Sequence, residues 1–470
     1  MLRARGSGPG ITSFFAATGF CAALVATQVF PQAAQAQTLL EALADAYSNN
    51  PTLRASRAEL RSVNEGVPQA LSNWRPTVTV TADAGLQSSE IDNDDGRGSN
   101  TDSSVPRSVD LSVSQPIYRG GSSQAELEAA ENLIQAQRAR LLSTEQSVLL
   151  AAVTAFMDTW RDEAVLRLNI NNEQVLARQL EASRDRFQVG EITRTDVAQA
   201  ESRLSGATAD RIASEGDLSE SRAIYEEVIG SPPVDLKSPE PLSGLPVSLQ
   251  FAVDQAASEN PDVLSSLFVE RAASRQVRQV EGELLPQVDL VGRLRREDDQ
   301  TRKDTSREQA EVTAQLTVPL YQAGFVSSRV REAKQVNSQR KLEKEQERRT
   351  AIQNAVSGWE ELQTARAQIR SFEAQVKAAE IALEGVRQEN LVGARTVLDV
   401  LDAEQELLDA QVSLVSAQRD EIVAGFRVLS TVGRLTAIEL DLPVEIYDPN
   451  ADYDAIRETW FDLEAPGVVD

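Results

Sequence analysis

Apolar residues recur along this chain with two different periods, and the periods come in the same order twice. From Thr38 to Asn50, Leu39, Leu40, Leu43, Ala46 and Tyr47 share one helical face. Asn50-Pro51 breaks that helix, and a second is expected from Pro51 to about Ser72. The period then drops to two: Val78, Val80, Ala82, Ala84 and Leu86 alternate with Thr77, Thr79, Thr81, Asp83 and Gly85. A polar loop is expected over roughly 88–104, and alternation resumes from Ser108 to Gln115. From Ser122 to about Gln188 there is neither proline nor glycine, and Leu127, Ile134, Leu141, Val148 and Ala155 recur every seventh residue. That is a helix on the order of 100 Å long, wound in a left-handed supercoil with its neighbours.

The second half repeats this order. Asn260-Pro261 restates the break 210 positions on (261 − 51). Val288, Leu290 and Leu294 alternate with Asp289, Arg293 and Arg295, and Val312, Ala314, Leu316 and Val318 alternate with Glu311, Thr313, Gln315 and Thr317. Sevenfold recurrence returns at Leu362, Ile369, Val376 and Leu383, then at Leu401, Leu408, Val415, Ile422 and Leu429. Between these last two runs lies Val392-Gly393-Ala394-Arg395-Thr396, where the chain reverses and Thr396 can cap the returning helix. Val189-Gly190 makes the same reversal 203 positions earlier (392 − 189), so that Asp196 matches Asp399 and Glu201 matches Glu404. Asp399 and Asp402 lie three apart on one helical face. The expected organisation is therefore two repeats, 37–230 and 249–436, with hairpins at 77–115 and 287–318 and tips near 190–196 and 393–402. A proline-rich linker (231–248) joins them, and an acidic tail (437–470) follows, its last ten or so residues disordered.

Composition narrows the function. The chain has 470 residues, a net charge of −25 and no histidine. The acid excess argues against nucleic acid. The missing histidine removes the commonest general base and metal ligand, which disfavours an enzyme. Residues 1–36 read as a secretory signal: Arg3 and Arg5, an apolar stretch from about Ile11 to Phe30, then Ala34-Gln35-Ala36 as the cleavage site. Cys21, the only cysteine, lies inside it. No later apolar run is long enough for a transmembrane helix, so a return to the membrane needs strands. Four strands of about ten residues suit a tilted barrel; a pair of half-buried soluble hairpins is the lesser alternative, disfavoured by the signal segment and the long polar loops. Trp74, Tyr118 and Tyr321 bracket the hairpins, either as an aromatic belt or as packing at the strand–helix junction. Four strands cannot close a barrel, and open edges are not tolerated in lipid. Two chains would give a barrel filled by its own side chains; three would leave a lumen.

The duplicated order, the two Asn-Pro breaks, Gln115-Pro116-Ile117-Tyr118 with Val318-Pro319-Leu320-Tyr321, and above all the run from Arg395 to Ala403 resemble the TolC family of outer-membrane efflux channels. The resemblance covers the chain to about Leu442. It implies a mainly α chain with membrane β: two internal repeats, long coiled-coil helices forming an α-barrel, and four strands per chain in a trimeric twelve-stranded β-barrel. The implied partners are two further copies, outer-membrane lipid, a periplasmic adaptor and an inner-membrane transporter, with no cofactor and no metal. The implied function is export of drugs or secreted proteins. A periplasmic coiled-coil adaptor without its own channel is the alternative, although no lipoyl-like domain is evident. By the same resemblance, Arg395 would link to Thr195 and Asp196 of the first tip, and Asp399 and Asp402 would line the lumen. Asn390 stands where a family member has a gate tyrosine, so the lock here is weaker or differently arranged. Rings of carboxylates would favour cations and raise some of their own pKa values. The plainer role for these aspartates is to favour the helix N-terminus.

Overall fold

In the computed structural model, residues 37–92, 99–239, 242, 244–300 and 304–461 are described. The signal segment expected over 1–36 and the end of the tail lie outside them. In chain order the elements are α1 (Leu39–Asn49), α2 (Pro51–Asn64), α3 (Gly66–Leu71), a 3-10 turn (Ser72–Trp74), β1 (Thr77–Ala84), β2 (Gln87–Asp92), β3 (Ser99–Ser104), β4 (Arg107–Arg119), α4 (Ser122–Gln188) and α5 (Arg194–Ile229). The second half continues with α6 (Leu249–Glu259), α7 (Pro261–Gly282), β5 (Gln287–Asp298), β6 (Ser306–Thr317), α8 (Phe325–Leu391), α9 (Val397–Thr431) and α10 (Ala451–Ile456). Two helical hairpins, α4–α5 and α8–α9, hold most of the helical residues. Among the described residues no helix is long and apolar enough to cross a membrane.

One antiparallel sheet, in the order β1-β4-β5-β6, unites the strands of both halves. Its register stacks like with like. Val80 faces Leu111, Leu111 faces Leu294 and Leu294 faces Ala310. On the other side of the pleat Asp110 faces Arg295, and Arg293 faces Glu311. Asp110 lies 3.7 and 3.5 Å from the Nε atoms of Arg293 and Arg295, so a charged ladder ties β4 to β5 on the polar face. The apolar face is bare: Val80, Leu294, Val312 and Leu316 are all more than half exposed. Where a polar loop was expected over 88–104, β2 and β3 instead pair as a two-stranded ribbon. Ser and Asp side chains give no apolar alternation to announce a strand, yet the backbone ladder forms regardless of them.

The Asn-Pro breaks do more than interrupt helices. Asn50 accepts the amide of Thr52 through Oδ1 (2.9 Å) and donates Nδ2 to the Val228 carbonyl at the end of α5 (2.9 Å). Asn260 repeats this, accepting from Asp262 (2.9 Å) and donating to the Thr431 carbonyl at the end of α9 (3.1 Å). Each asparagine thus caps one helix and closes the last turn of another. The main core lies beside these ends, where Leu43, Leu53, Leu149, Phe156, Tyr225 and Leu435 pack together. The linker joins it through backbone bonds of Gln37 to Val234 and Lys237, both 3.1 Å.

Glu145 is buried in this region, and its Oε1 accepts the Ala437 amide at 2.7 Å. Burial pushes its carboxyl above the ordinary 4.5, although the Ala437 hydrogen bond pulls the other way. The folded value exceeds the unfolded one, so the fold loses stability as pH rises above about 4.5. Glu145→Gln keeps the acceptor and drops the charge. Its Tm is expected to exceed that of the natural chain at pH 7 and to converge with it below pH 4.5, in thermal unfolding followed by circular dichroism in detergent.

The two hairpin tips as a candidate gate

The two tips are built by one pattern of backbone bonds. In the first, Gly190 donates to the Phe187 carbonyl (3.0 Å) and Glu191 to that of Arg186 (2.9 Å). In the second, Gly393 donates to Asn390 (3.0 Å) and Ala394 to Glu389 (2.9 Å). Gly190 and Gly393 take φ of +82° and +80°, the left-handed geometry that ends a helix and favours glycine. A capping box opens each return helix. Thr193 Oγ1 accepts the Asp196 amide (3.3 Å) while Asp196 Oδ2 accepts the Thr193 amide (2.8 Å). Thr396 and Asp399 do the same at 3.2 and 2.8 Å. Each hairpin is also pinned by an ion pair at matching positions, Arg184 to Glu201 (3.3 Å) and Arg387 to Glu404 (3.1 Å).

The candidate gate residues fall into place as follows. Arg395 does not reach Thr195 or Asp196 of its own chain; its Nε pairs with Glu389 at 2.8 Å and its Nη1 lies 3.9 Å from Asp399. Short local partners are nearer, so the guanidinium folds back on its own tip. Thr195 is exposed. Asp399 is held below the ordinary carboxylate value, first by the Thr396 amide, then by the Thr396 hydroxyl, with Arg395 adding a smaller effect. Crowding of like charges does not govern it within one chain. Its cap is a contribution present above the unfolded value of 3.8 and lost only as pH falls below it.

Among the described residues two polar contacts join the tips, and neither was foreseen. Asp402 Oδ1 is paired with Arg203 of α5. Asn390, buried, donates Nδ2 to the Arg395 carbonyl (2.9 Å) and accepts Arg186 Nη1 at 3.4 Å. Asn390 therefore holds both its own loop and the neighbouring hairpin. Val397 and Leu401 bury against Leu176, Leu180 and Ala200 beneath these contacts. The shared offset of Arg184 and Arg387 was a signal available in the sequence; nothing comparable marks Arg186 or Arg203. Beyond the contacts, Phe187, Val189, Leu391 and Val392 are exposed, the last three by more than 70%.

The sequence model of the family described as "Outer membrane efflux protein" matches residues 42–231 and 252–429. The chain belongs to this family. It is 34% identical to the outer membrane efflux protein BepC of Brucella suis biovar 1 over 444 residues, 94% of this chain and 95% of that one. It is 25% identical to the outer membrane protein TolC of Vibrio cholerae, across 85% and 92% of the two chains. Among solved structures, the Campylobacter jejuni CmeC outer membrane channel superimposes with a TM-score of 0.77 at 16% identity, covering 89% of each chain. The chain is thus an outer-membrane efflux protein, and its family is one of channel-forming proteins. The family match spans both repeats, hairpins included, which sets aside the channel-less adaptor.

Proposed function

We propose that three copies of the chain close into one duct through the outer membrane and periplasm, which passes drugs or secreted proteins and catalyses nothing. The observation that carries this is the sheet: among the described residues β1 pairs only with β4 and β6 only with β5, so both outer edges are unpaired within them. With four alternating strands, β6 of one copy runs antiparallel to β1 of the next. Twelve strands close the ring and leave a bore, whereas eight would be filled by side chains. The helices support the same count. α4 buries 24 of its 67 residues, but α8, equally long, buries only 10, leaving a flank free for a second copy. Chemical crosslinking of the purified protein in detergent should trap a trimer; a monomer that stays monomeric at every concentration overturns the reading.

In this assembly the tips form the periplasmic mouth. Arg395 of each copy faces Thr195 and Asp196 of the next, and Asn390 secures its own tip to Arg186. Asp399 and Asp402, each present three times, face the mouth as two acidic rings. A periplasmic adaptor, itself joined to an inner-membrane transporter, docks on the apolar crown of Phe187, Val189, Leu391 and Val392. Asp399→Ala combined with Asp402→Ala is expected to lower cation over anion selectivity severalfold, read as the reversal potential in a salt gradient across a planar bilayer. Unchanged selectivity would remove the rings from the mouth.

A further inference from the structure

The last described stretch of the chain turns back toward the strands. Ala437 meets Glu145 of α4; the Arg138 guanidinium lies 5.5 Å from the Tyr453 ring; Arg457 Nη2 lies 4.0 Å from Glu131 Oε1. Positions 145, 138 and 131 are two turns apart, so the tail climbs α4 by roughly 10 Å per contact. Asn64 Nδ2 fastens it to α2 through Asp452 (2.9 Å). The climb ends at Arg75, two residues before β1. Its Nη1 donates to the Thr459 carbonyl (2.8 Å), and its guanidinium sits 4.7 Å from the Trp460 ring centroid.

Trp460 and Phe461 thus arrive at the base of the strands, packed as a tilted pair with centroids 6.3 Å apart. They are 56% and 91% exposed. A tryptophan–phenylalanine pair tied in place by a cation and a backbone hydrogen bond, yet left bare, needs an apolar cover. That level of the molecule already exposes Trp74 and Tyr118, and the bare apolar face of the sheet begins just above them at Val78. We infer that the tail is a membrane anchor: Trp460 and Phe461 enter the periplasm-facing leaflet at its polar–apolar boundary, extending the aromatic belt below the sheet. Aromatic rings favour that boundary because one side is apolar and the other wet. Arg75 stands beside them to meet lipid phosphate. This rests on the sheet being the membrane-embedded wall.

The test uses the full chain in lipid nanodiscs, made with and without lipid brominated near the top of the acyl chain. In a variant whose only tryptophan is Trp460 (Trp74→Phe, Trp160→Phe, Trp359→Phe), brominated lipid should quench emission at least twofold. A companion bearing only Trp160, partly buried in the helical core, should be unaffected. A strand reporter, Val80→Trp with the four native tryptophans replaced by Phe, should be quenched. Quenching on the strand without quenching of Trp460 overturns the anchor and leaves the wall standing. This holds whether Trp460 proves open to acrylamide or shielded between subunits. No quenching at either site overturns both. Should the tryptophan replacements prevent assembly, a spin label on Phe461→Cys in a Cys21→Ser background reads the same question. Greater accessibility to oxygen than to a nickel chelate supports the anchor, and the reverse overturns it.

Discussion

Gly120→Ala should all but abolish the assembled protein in outer-membrane fractions. Gly120 follows β4 at φ +63°, and a Cβ there would lie 2.3 Å from the Gly282 carbonyl oxygen and 2.7 Å from Leu285 Cβ. Gly282 answers in kind, since its own Cβ would come within 2.9 Å of the Gly120 oxygen. The first strand-to-helix turn and the end of α7 therefore touch backbone to backbone. The positive φ alone is not what forbids alanine. The second repeat carries Ala323 at the matching position with φ +52°, in its own turn into α8. Ala323 is exposed, whereas Gly120 is buried against the end of α7, which cannot yield without moving a helix that packs along α4. The expected cost is about 3 kcal/mol or more. Gly121→Ala is the control: it has φ +80° but open space around it, so it should cost only about 1–2 kcal/mol of backbone strain and still assemble. Heat-resistant oligomer on gels, near zero for the first variant and near normal for the second, checks both. Equal loss would show that strain rather than the α7 contact is responsible.

Arg186→Ala together with Arg203→Ala should open the periplasmic mouth. These side chains supply the two ties between the hairpin tips, to Asn390 and to Asp402. Each tie is weak. The Arg203–Asp402 pair is about half exposed, and such pairs contribute roughly 0.5 kcal/mol. In the proposed trimer six ties act on one equilibrium. Their sum, about 3 kcal/mol, shifts the open-to-closed ratio on the order of a hundredfold. Single-channel recording in planar bilayers should show a larger conductance held for most of the record. Arg395→Ala, which removes contacts inside one tip, should do less unless Arg395 also reaches the neighbouring copy's first tip. Comparing the two variants therefore separates a lock within the chain from one between chains. A conductance unchanged in both would place the barrier away from the tips.

Much of the site's scaffold could be read from residue order, because its determinants are local. The reversal at Val392-Gly393 and the Thr396 cap involve residues within five positions of one another, and the structure forms them as the spacing implied. The Asn-Pro breaks were equally plain as breaks. That Asn50 and Asn260 also seize the far ends of α5 and α9 was not, because the partner carbonyls lie 178 and 171 positions away. α2 was expected to run on to about Ser72, but it stops at Asn64, with α3 and the 3-10 turn completing the stretch. The apolar spacing continues across Gly66 and hides the break.

By itself, then, the residue order determined the repeated plan of this protein: strands where the period is two, supercoiled helices where it is seven, tips where Val-Gly meets a capping threonine. These follow from sterics and hydrogen bonds between near neighbours, which act before any distant segment arrives. Only the tertiary structure decided which side chains cross between hairpins and where the tail goes. Asn390 meets Arg186 because of where the two hairpins are seated along one another, and Trp460 meets Arg75 because of how far the tail runs along α4. A slide of a single turn would keep every periodicity intact and exchange every one of those partners, so no short-range pattern could have named them.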